Sequence, residues 1–306
     1  MNDLHRSKVL SCGHEVLEET QCHYCTYIQS DLLDELARPK DSQGEIRTFS
    51  HPDEFQFILI HQSCELSFKG YLYELHRGVA CIDNDDFEGA ANFIDRCRSW
   101  ILIAARQLQH LVDHLTPKDF AFFRDFLSPA SGAESIRFRL IELSTGIKAD
   151  GPYVGHRGRT FTFREFLDRE PAEGTGRPKT RWWTQSMSDI KPHSTLRGAL
   201  ISALARHQFS SLASLDLIDS EISHCRDLLM GDTQLSHFAQ TLVRLEKAIL
   251  AVRKVHLNAA RKHISENSGT GDTDGVAYLR SVMDTARCFP ALTEAFEQLE
   301  REGQFP

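Results

Sequence analysis

The sequence predicts an all-α protein, and three observations carry that prediction. Apolar residues recur at helical spacing through most of the 306 residues. No series of alternating strand segments appears. The three stretches that break the helical pattern, at about 40–52, 148–194 and 265–274, are rich in Gly, Pro and polar residues, as connections are. With 41% hydrophobic residues the chain can bury a sizeable core without disulfide or metal staples.

The first helical stretch covers about 27–38. The second, 53–79, contains "FQFILIHQSCELSFK", in which Phe57, His61, Cys64, Phe68 and Leu72 fall on one stripe that should be buried. An imidazole there points where Phe and Leu point. It is either a core histidine bonded to a backbone carbonyl or an active-site histidine facing a pocket. Further helical stretches run over 86–114 and 118–126. In "TPKDFAFFRDFLSPASG", Arg124 follows Phe120 by one turn, among Phe122, Phe123 and Phe126, and the Ser-Pro-Ala-Ser-Gly turn stops the helix. That arginine either faces solvent, paired with Asp125, or clamps a carboxylate in aromatic surroundings.

A helix over 134–146 leads into the segment 148–194, too long for a structureless loop in a compact domain unless it is functional or an insertion. Within it "RTFTF" reads as a strand and "EPAEGTGRPKT" as flexible. Helices over 195–229, 233–264 and 275–302 complete the chain. In "LVRLEKAILAVRKVHLNAARKHI" one stripe holds Leu242, Leu245, Ile249, Val252, His256, Ala259 and His263, so two more histidines occupy an apolar face. That helix runs into "SENSGTGDTDG", whose glycines allow backbone N–H groups close to an anion or polar ligand.

The formal charge of −8 leaves no electrostatic footprint for nucleic acid, so a small molecule or a protein is the expected partner. "MNDLHRSKVL" lacks the apolar run of a signal peptide, and no stretch approaches the roughly 18 apolar residues of a membrane span. A cytoplasmic protein without membrane association is the expectation. The eight cysteines are then free thiols or metal ligands rather than a disulfide framework, with Cys64 and Cys97 reading as ordinary buried thiols. Near the N-terminus "CGHEVLEETQCHYC" offers Cys12, His14, Cys22 and Cys25. These either close a tetrahedral structural zinc site or belong to an N-terminal arm without metal.

Taken together, "FQFILIHQSCELSFK", "FRDFLSPASGAESIRFRLIE" and "GTGDTDGVAYLR", in this order in a helical chain of this size, resemble the tryptophan 2,3-dioxygenase family of the haem-dependent aromatic oxygenases. The likeness covers roughly 20–146 and 235–295. It implies a helical haem-binding fold with one domain over 27–306, a variable insertion at about 148–194 and an arm over 1–26 that contacts a neighbouring subunit. It also implies haem b as cofactor, dioxygen and an indole amino acid as substrates, and a homotetramer.

Residue by residue, the resemblance makes His61 the distal histidine and Phe57 an aromatic of the substrate pocket. Arg124 becomes the partner of the substrate carboxylate, with Phe120 one turn before it. Ser131 and Gly132 fall beside the distal haem face, and Thr270 contacts the amino-acid end of the substrate. His256 takes the place of the axial haem ligand, with His263 as its rival. "YCTYIQSDLL" matches a segment that reaches the neighbouring subunit, through Tyr24, Tyr27 and Ile28.

The sequence departs from the family pattern at Ser67, where a Trp is usual, at Ala133 and Glu134 in place of Phe and Gln, at "SEN" before Gly-Thr-Gly, and at Asp272. The expected activity is therefore oxygenation at indole C2/C3 of L-tryptophan or a substituted tryptophan, giving an N-formylkynurenine-type product. The alternatives are monooxygenation of a methyltryptophan to a 2-oxindole in a biosynthetic role, or a haem-binding or interaction protein without turnover.

Overall fold

A computed structural model describes residues 27–41, 43–127, 135–147, 152–154, 160–162, 195–207, 209, 220–264, 276, 279–280, 283 and 287–305. The described residues are almost entirely helical, as the periodicity predicts. The exception is an antiparallel hairpin of β1 (Pro152–Val154) and β2 (Thr160–Thr162), the second of which lies in "RTFTF". The chain divides into two compact units, Met1–Gln62 and Ser63–Pro306.

In the first unit a 3₁₀ turn spans Ser30–Glu35, where an α-helical stretch is predicted. Gln29 and Ala37, both at positive φ, bracket it. Asp41 then folds the chain back, its carboxylate accepting from Gln43 N and Glu45 N at 2.9 Å, and Lys40 bridges Ile46. Helix α1 (Asp53–Asp83) begins with Glu54, which is buried against the Arg47 guanidinium and accepts from Ser50 N at 2.9 Å. A carboxylate in a first helical turn faces the positive end of the helix dipole, and here it also anchors the incoming chain. Gln62 receives Ala37 N at 2.9 Å on its side-chain oxygen, fixing the 3₁₀ segment to the helix.

In the second unit the rest of α1 turns at Asp85 into α2 (Phe87–His114), which Asp86 caps by accepting from Gly89 N at 2.9 Å. The two helices approach closely at Gly70, where a Cβ would stand 2.5 Å from the Trp100 indole. Cys64 Sγ and Cys97 Sγ reach the carbonyls of Ala104 and Tyr71 across the same interface. Helix α2 buries Ile94, Cys97, Ile101, Ala104, Leu108 and Leu111 at three- and four-residue spacing.

Thr116 caps α3 (Pro117–Ala121), and α4 (Arg124–Leu127) follows after a turn at Phe122 and Phe123. The single predicted helix over 118–126 is therefore two. Helix α5 (Ile136–Thr145) starts at a Ser135 cap and ends in a left-handed Gly146, with Ile147 N returning to Glu142 O at 3.0 Å.

The predicted stretch 195–229 is also divided. Helix α6 (Leu196–Arg206) stops at His207, which is extended, and α7 (Ile222–Met230) is the next described helix. Helix α8 (Gln234–His263) is buried on nearly all sides through its first five turns and makes its most extensive packing along α2. Such an all-round buried helix is the centre of a core. Helix α9 (Pro290–Arg301) packs on α7 and α8.

Buried charges join these helices. Glu246 of α8 accepts from Arg287 Nε at 2.7 Å, Phe289 N at 2.8 Å and Thr293 Oγ1 at 3.0 Å, so one carboxylate satisfies the start of α9. Arg253 of α8 donates to Glu142 of α5 at 2.8 Å, and Arg139 donates to the other oxygen at 2.6 Å. No helix among the described residues is long and apolar enough to cross a membrane.

Candidate functional site

Two groups of candidate residues are described, one in each unit. In the first, His61 Nδ1 lies 2.7 Å from Phe57 O one turn earlier, and the two rings pack tilted at 41° with centroids 4.2 Å apart. Because a carbonyl only accepts, this contact calls for a proton on Nδ1, and in the neutral imidazole the acceptor lone pair is then on Nε2. Both side chains are half-buried. The stripe they begin becomes fully buried further along α1, at Cys64, Phe68 and Leu72.

The second group lies in the other unit, where the last turn of α8 meets the end of α2 and α3, with α4 following in sequence. Phe120 and Phe123 point inward, their rings edge-on at 5.3 Å, while Phe122 and Phe126 are exposed. Arg124 opens α4 half-buried. Of the aromatic neighbours the sequence offers this arginine, two build the core and two face outward.

On α8, Leu242, Leu245, Ile249 and Val252 are buried, and the same stripe emerges to half-burial at His256 and His263. His256 is one turn beyond Arg253, which the buried Glu142 fixes. His263 Nδ1 lies 2.8 Å from Ala259 O and its Nε2 lies 3.0 Å from Leu115 O, while its ring packs 5.5 Å from Phe120. Both nitrogens are turned to backbone acceptors.

Glu65, one turn after His61 in sequence, is a residue that sequence reasoning passed over. It accepts from Ser135 Oγ and from Arg137 Nη1 at 2.9 Å, and so holds the start of α5 at the exit of the "SPASGAE" segment. Its signal in the sequence is its place in "ELSFK", two residues before Ser67. Ser67 is buried, and its hydroxyl donates to Ser63 O at 3.0 Å with Gln107 Oε1 at 3.4 Å. Where the family has a large indole, this chain has a small hydroxyl satisfied within its own helix pair.

Tyr27 and Ile28 are exposed just before the 3₁₀ turn. Tyr24, Ser131, Gly132 and Thr270 lie outside the described residues, as do Cys12, His14, Cys22 and Cys25. Among the described residues no three metal-ligating side chains cluster. Burial pushes the Cys64 and Cys288 thiols up to about 12 and raises Cys97 as well, so these are inert packing thiols.

The arrangement is that of a helical protein whose central helix carries its apolar stripe out of the core to two half-buried imidazoles, one of them packed on Phe120. The tryptophan 2,3-dioxygenase family model matches residues 9–170, and the chain belongs to this family of oxidoreductases. Relatives named tryptophan 2,3-dioxygenase from Bacillus cereus and Caulobacter vibrioides are each 28% identical. They cover 88% and 87% of this chain and 90% and 95% of their own lengths. One from Alteromonas mediterranea is 34% identical over 42% of this chain and 36% of its own.

Proposed function

We propose that this protein is a haem-dependent oxygenase acting on the indole C2/C3 of L-tryptophan or a substituted tryptophan, working as a homotetramer. The observation that carries the reading is the pair of imidazoles on α8. His256, on the emerging stripe of the central helix, is the residue that would hold the haem iron by resemblance, with His263, seven residues on, as its rival. The donor chemistry fits, since a histidine on a helix flanked by apolar residues is an ordinary holder of haem iron. Haem b bound at His256 would supply the dioxygen chemistry that no side chain of this chain can.

The chain's own residues would bind and orient the indole amino acid. Arg124 would pair with its carboxylate, and a guanidinium matches that group with two parallel hydrogen bonds. Phe120 would flank this end. Ser131, Gly132 and Thr270 are assigned to the substrate by resemblance. His61, with its proton on Nδ1, would accept the indole N1–H on Nε2, so that Phe57 both packs on the histidine and sets its tautomer. Tyr24, Tyr27 and Ile28 would contact a neighbouring subunit, and the exposure of Tyr27 and Ile28 supports this. Cys12, His14, Cys22 and Cys25 remain either a structural zinc site or a metal-free arm, which metal analysis of the purified protein would separate.

The reading is tested by mass spectrometry of the product formed from L-tryptophan, and in parallel from a methyl-substituted tryptophan, under isotopically labelled dioxygen. Two labelled atoms in a ring-opened product are expected of the N-formylkynurenine type. One labelled atom in an intact ring would identify 2-oxindole synthesis, the outcome favoured if Ser67 and the loop changes alter the pocket. No oxygen consumption with either substrate would leave a haem-binding or interaction protein.

A further inference from the structure

The last two residues of α8 do something that neither the axial-ligand role nor the basic end of a helix requires. Lys262 Nζ donates to Val112 O, and His263 Nε2 meets Leu115 O at 3.0 Å. Val112 and Leu115 stand at the C-terminal end of α2, where helix carbonyls lack intrahelical partners. Cationic or N–H-bearing side chains in a last turn ordinarily complement their own helix dipole. Here they reach across to a second helix instead.

Leu115 is also the hinge of the substrate segment. Its own N–H returns to Leu111 O, closing α2, and the next residue, Thr116, caps α3 by accepting from Asp119 N at 3.1 Å. His263 therefore holds the carbonyl at which one helix ends and the next begins. Its ring packs on Phe120, Phe120 packs edge-on against the fully buried Phe123, and Arg124 follows. An unbroken line of contacts joins α8, seven residues beyond His256, to the arginine.

We propose that His263 is a positioning residue: by bonding Leu115 O and packing on Phe120 it fixes the Leu115–Arg124 segment to the helix of His256, and so sets where Arg124 meets the substrate carboxylate. This rests on the reading of Arg124 as the carboxylate partner. A carbonyl only accepts and a neutral imidazole has one N–H, so the proton sits on Nε2, toward Leu115 O, with the ring face on Phe120, while Nδ1 lies beside Ala259 O without donating to it. Lys262 secures the same helix end one turn back.

The test uses the full-length, haem-loaded protein and L-tryptophan as ligand, with H263L, H263Q, R124A and the double variant R124A/H263L. H263L keeps an apolar side chain against Phe120 and removes the hydrogen bond to Leu115 O. It should retain haem at wild-type stoichiometry with an unshifted Soret band. Its dissociation constant for L-tryptophan, from anaerobic spectral titration, should rise about tenfold, in line with misplacing one charge-assisted hydrogen bond. The Michaelis constant should rise with it while kcat changes by less than about twofold. H263Q, whose amide N–H can still reach Leu115 O, should recover most of the affinity. In the R124A background H263L should have little further effect, because the group it positions is gone.

A full additional loss in the double variant would overturn the positioning role while leaving Arg124 in the substrate site. Unchanged tryptophan affinity in R124A alone would overturn both. Loss of haem from H263L and H263Q with helical circular dichroism intact would make His263 a ligand, contrary to the proposal. If H263L fails to fold, H263Q decides: affinity as poor as that of R124A would overturn the proposal, and near-wild-type affinity and haem content would support it.

Discussion

Two histidines with the same local contact have different prospects. His61 and His263 each place Nδ1 on the carbonyl four residues back, the contact a buried imidazole makes when it sits on a helix. What separates them is Nε2. In His263 it lies 3.0 Å from Leu115 O, whereas in His61 it is the nitrogen proposed to meet the substrate. His61→Ala should therefore leave haem content unchanged and lower kcat/KM for L-tryptophan by roughly tenfold, about what one hydrogen bond to the substrate supplies. Steady-state kinetics beside a haem assay checks this, and unchanged kinetics would return His61 to a packing role. Arg124→Ala should weaken tryptophan binding by about 2 to 5 kcal/mol, as loss of a desolvated charge partner does. None of this discrimination was legible in the sequence, because the Leu115 carbonyl that claims His263 lies 148 residues away. What the sequence did show was that three histidines occupy apolar stripes.

Among the elements, long helices were legible and their interruptions were not. The α1 stripe is buried at Cys64, Phe68 and Leu72 and the α8 stripe at Leu242, Leu245, Ile249 and Val252, as their spacing predicts, and each opens to half-burial at its histidines. The division of 118–126 at Phe122 and Phe123, and the stop at His207 within 195–229, are local changes of backbone direction that apolar periodicity does not register.

Two joints between elements carry predictions. At Gly70 the α1–α2 contact leaves no room for a methyl group, since it would meet the Trp100 ring at 2.5 Å. Gly70→Ala gains helix propensity but should still destabilise by about 1 to 3 kcal/mol through overpacking, read as a lowered denaturant midpoint. At the α1–α2 turn, Asp85 accepts from Arg206 Nη2 at 2.7 Å, and His207 Nε2 lies 3.3 Å from it. The Arg206 hydrogen bond, then that of His207, holds its carboxyl below the ordinary value of 3.8. A depressed carboxylate adds stability above its unfolded value and loses it as pH falls through the folded one. Asp85→Asn should therefore lower the urea midpoint at pH 7 and converge on the wild type below about pH 3.8, by a small amount because the pair is exposed.

Over the whole molecule, the distribution of apolar surface is uneven. The second unit is closed around α8, where Glu246, Glu142, Arg139 and Arg253 bond one another or their neighbours in a dry core. Yet Leu66 and Tyr73 on α1 remain 57% and 66% exposed. They flank the Gly70 turn on which Trp100 lies, and Trp100 and Ile103 of α2 are exposed beside them. Isolated exposed apolar residues need no explanation, but a run on two adjoining helices marks an interaction surface. In a homotetramer such a surface would be covered by a second copy. The double variant Leu66→Glu, Tyr73→Glu places four carboxylates per pair of copies into any interface there, and charges buried without partners cost several kcal/mol. Light scattering should find the parent chain as an oligomer at micromolar concentration and the variant as a smaller species, with helical circular dichroism preserved because neither side chain belongs to the core. A parent chain that scatters as a monomer would sink the assembly reading. A variant that keeps the parent mass would move the interface off this face, leaving Tyr27 and Ile28 as the contacts to test next.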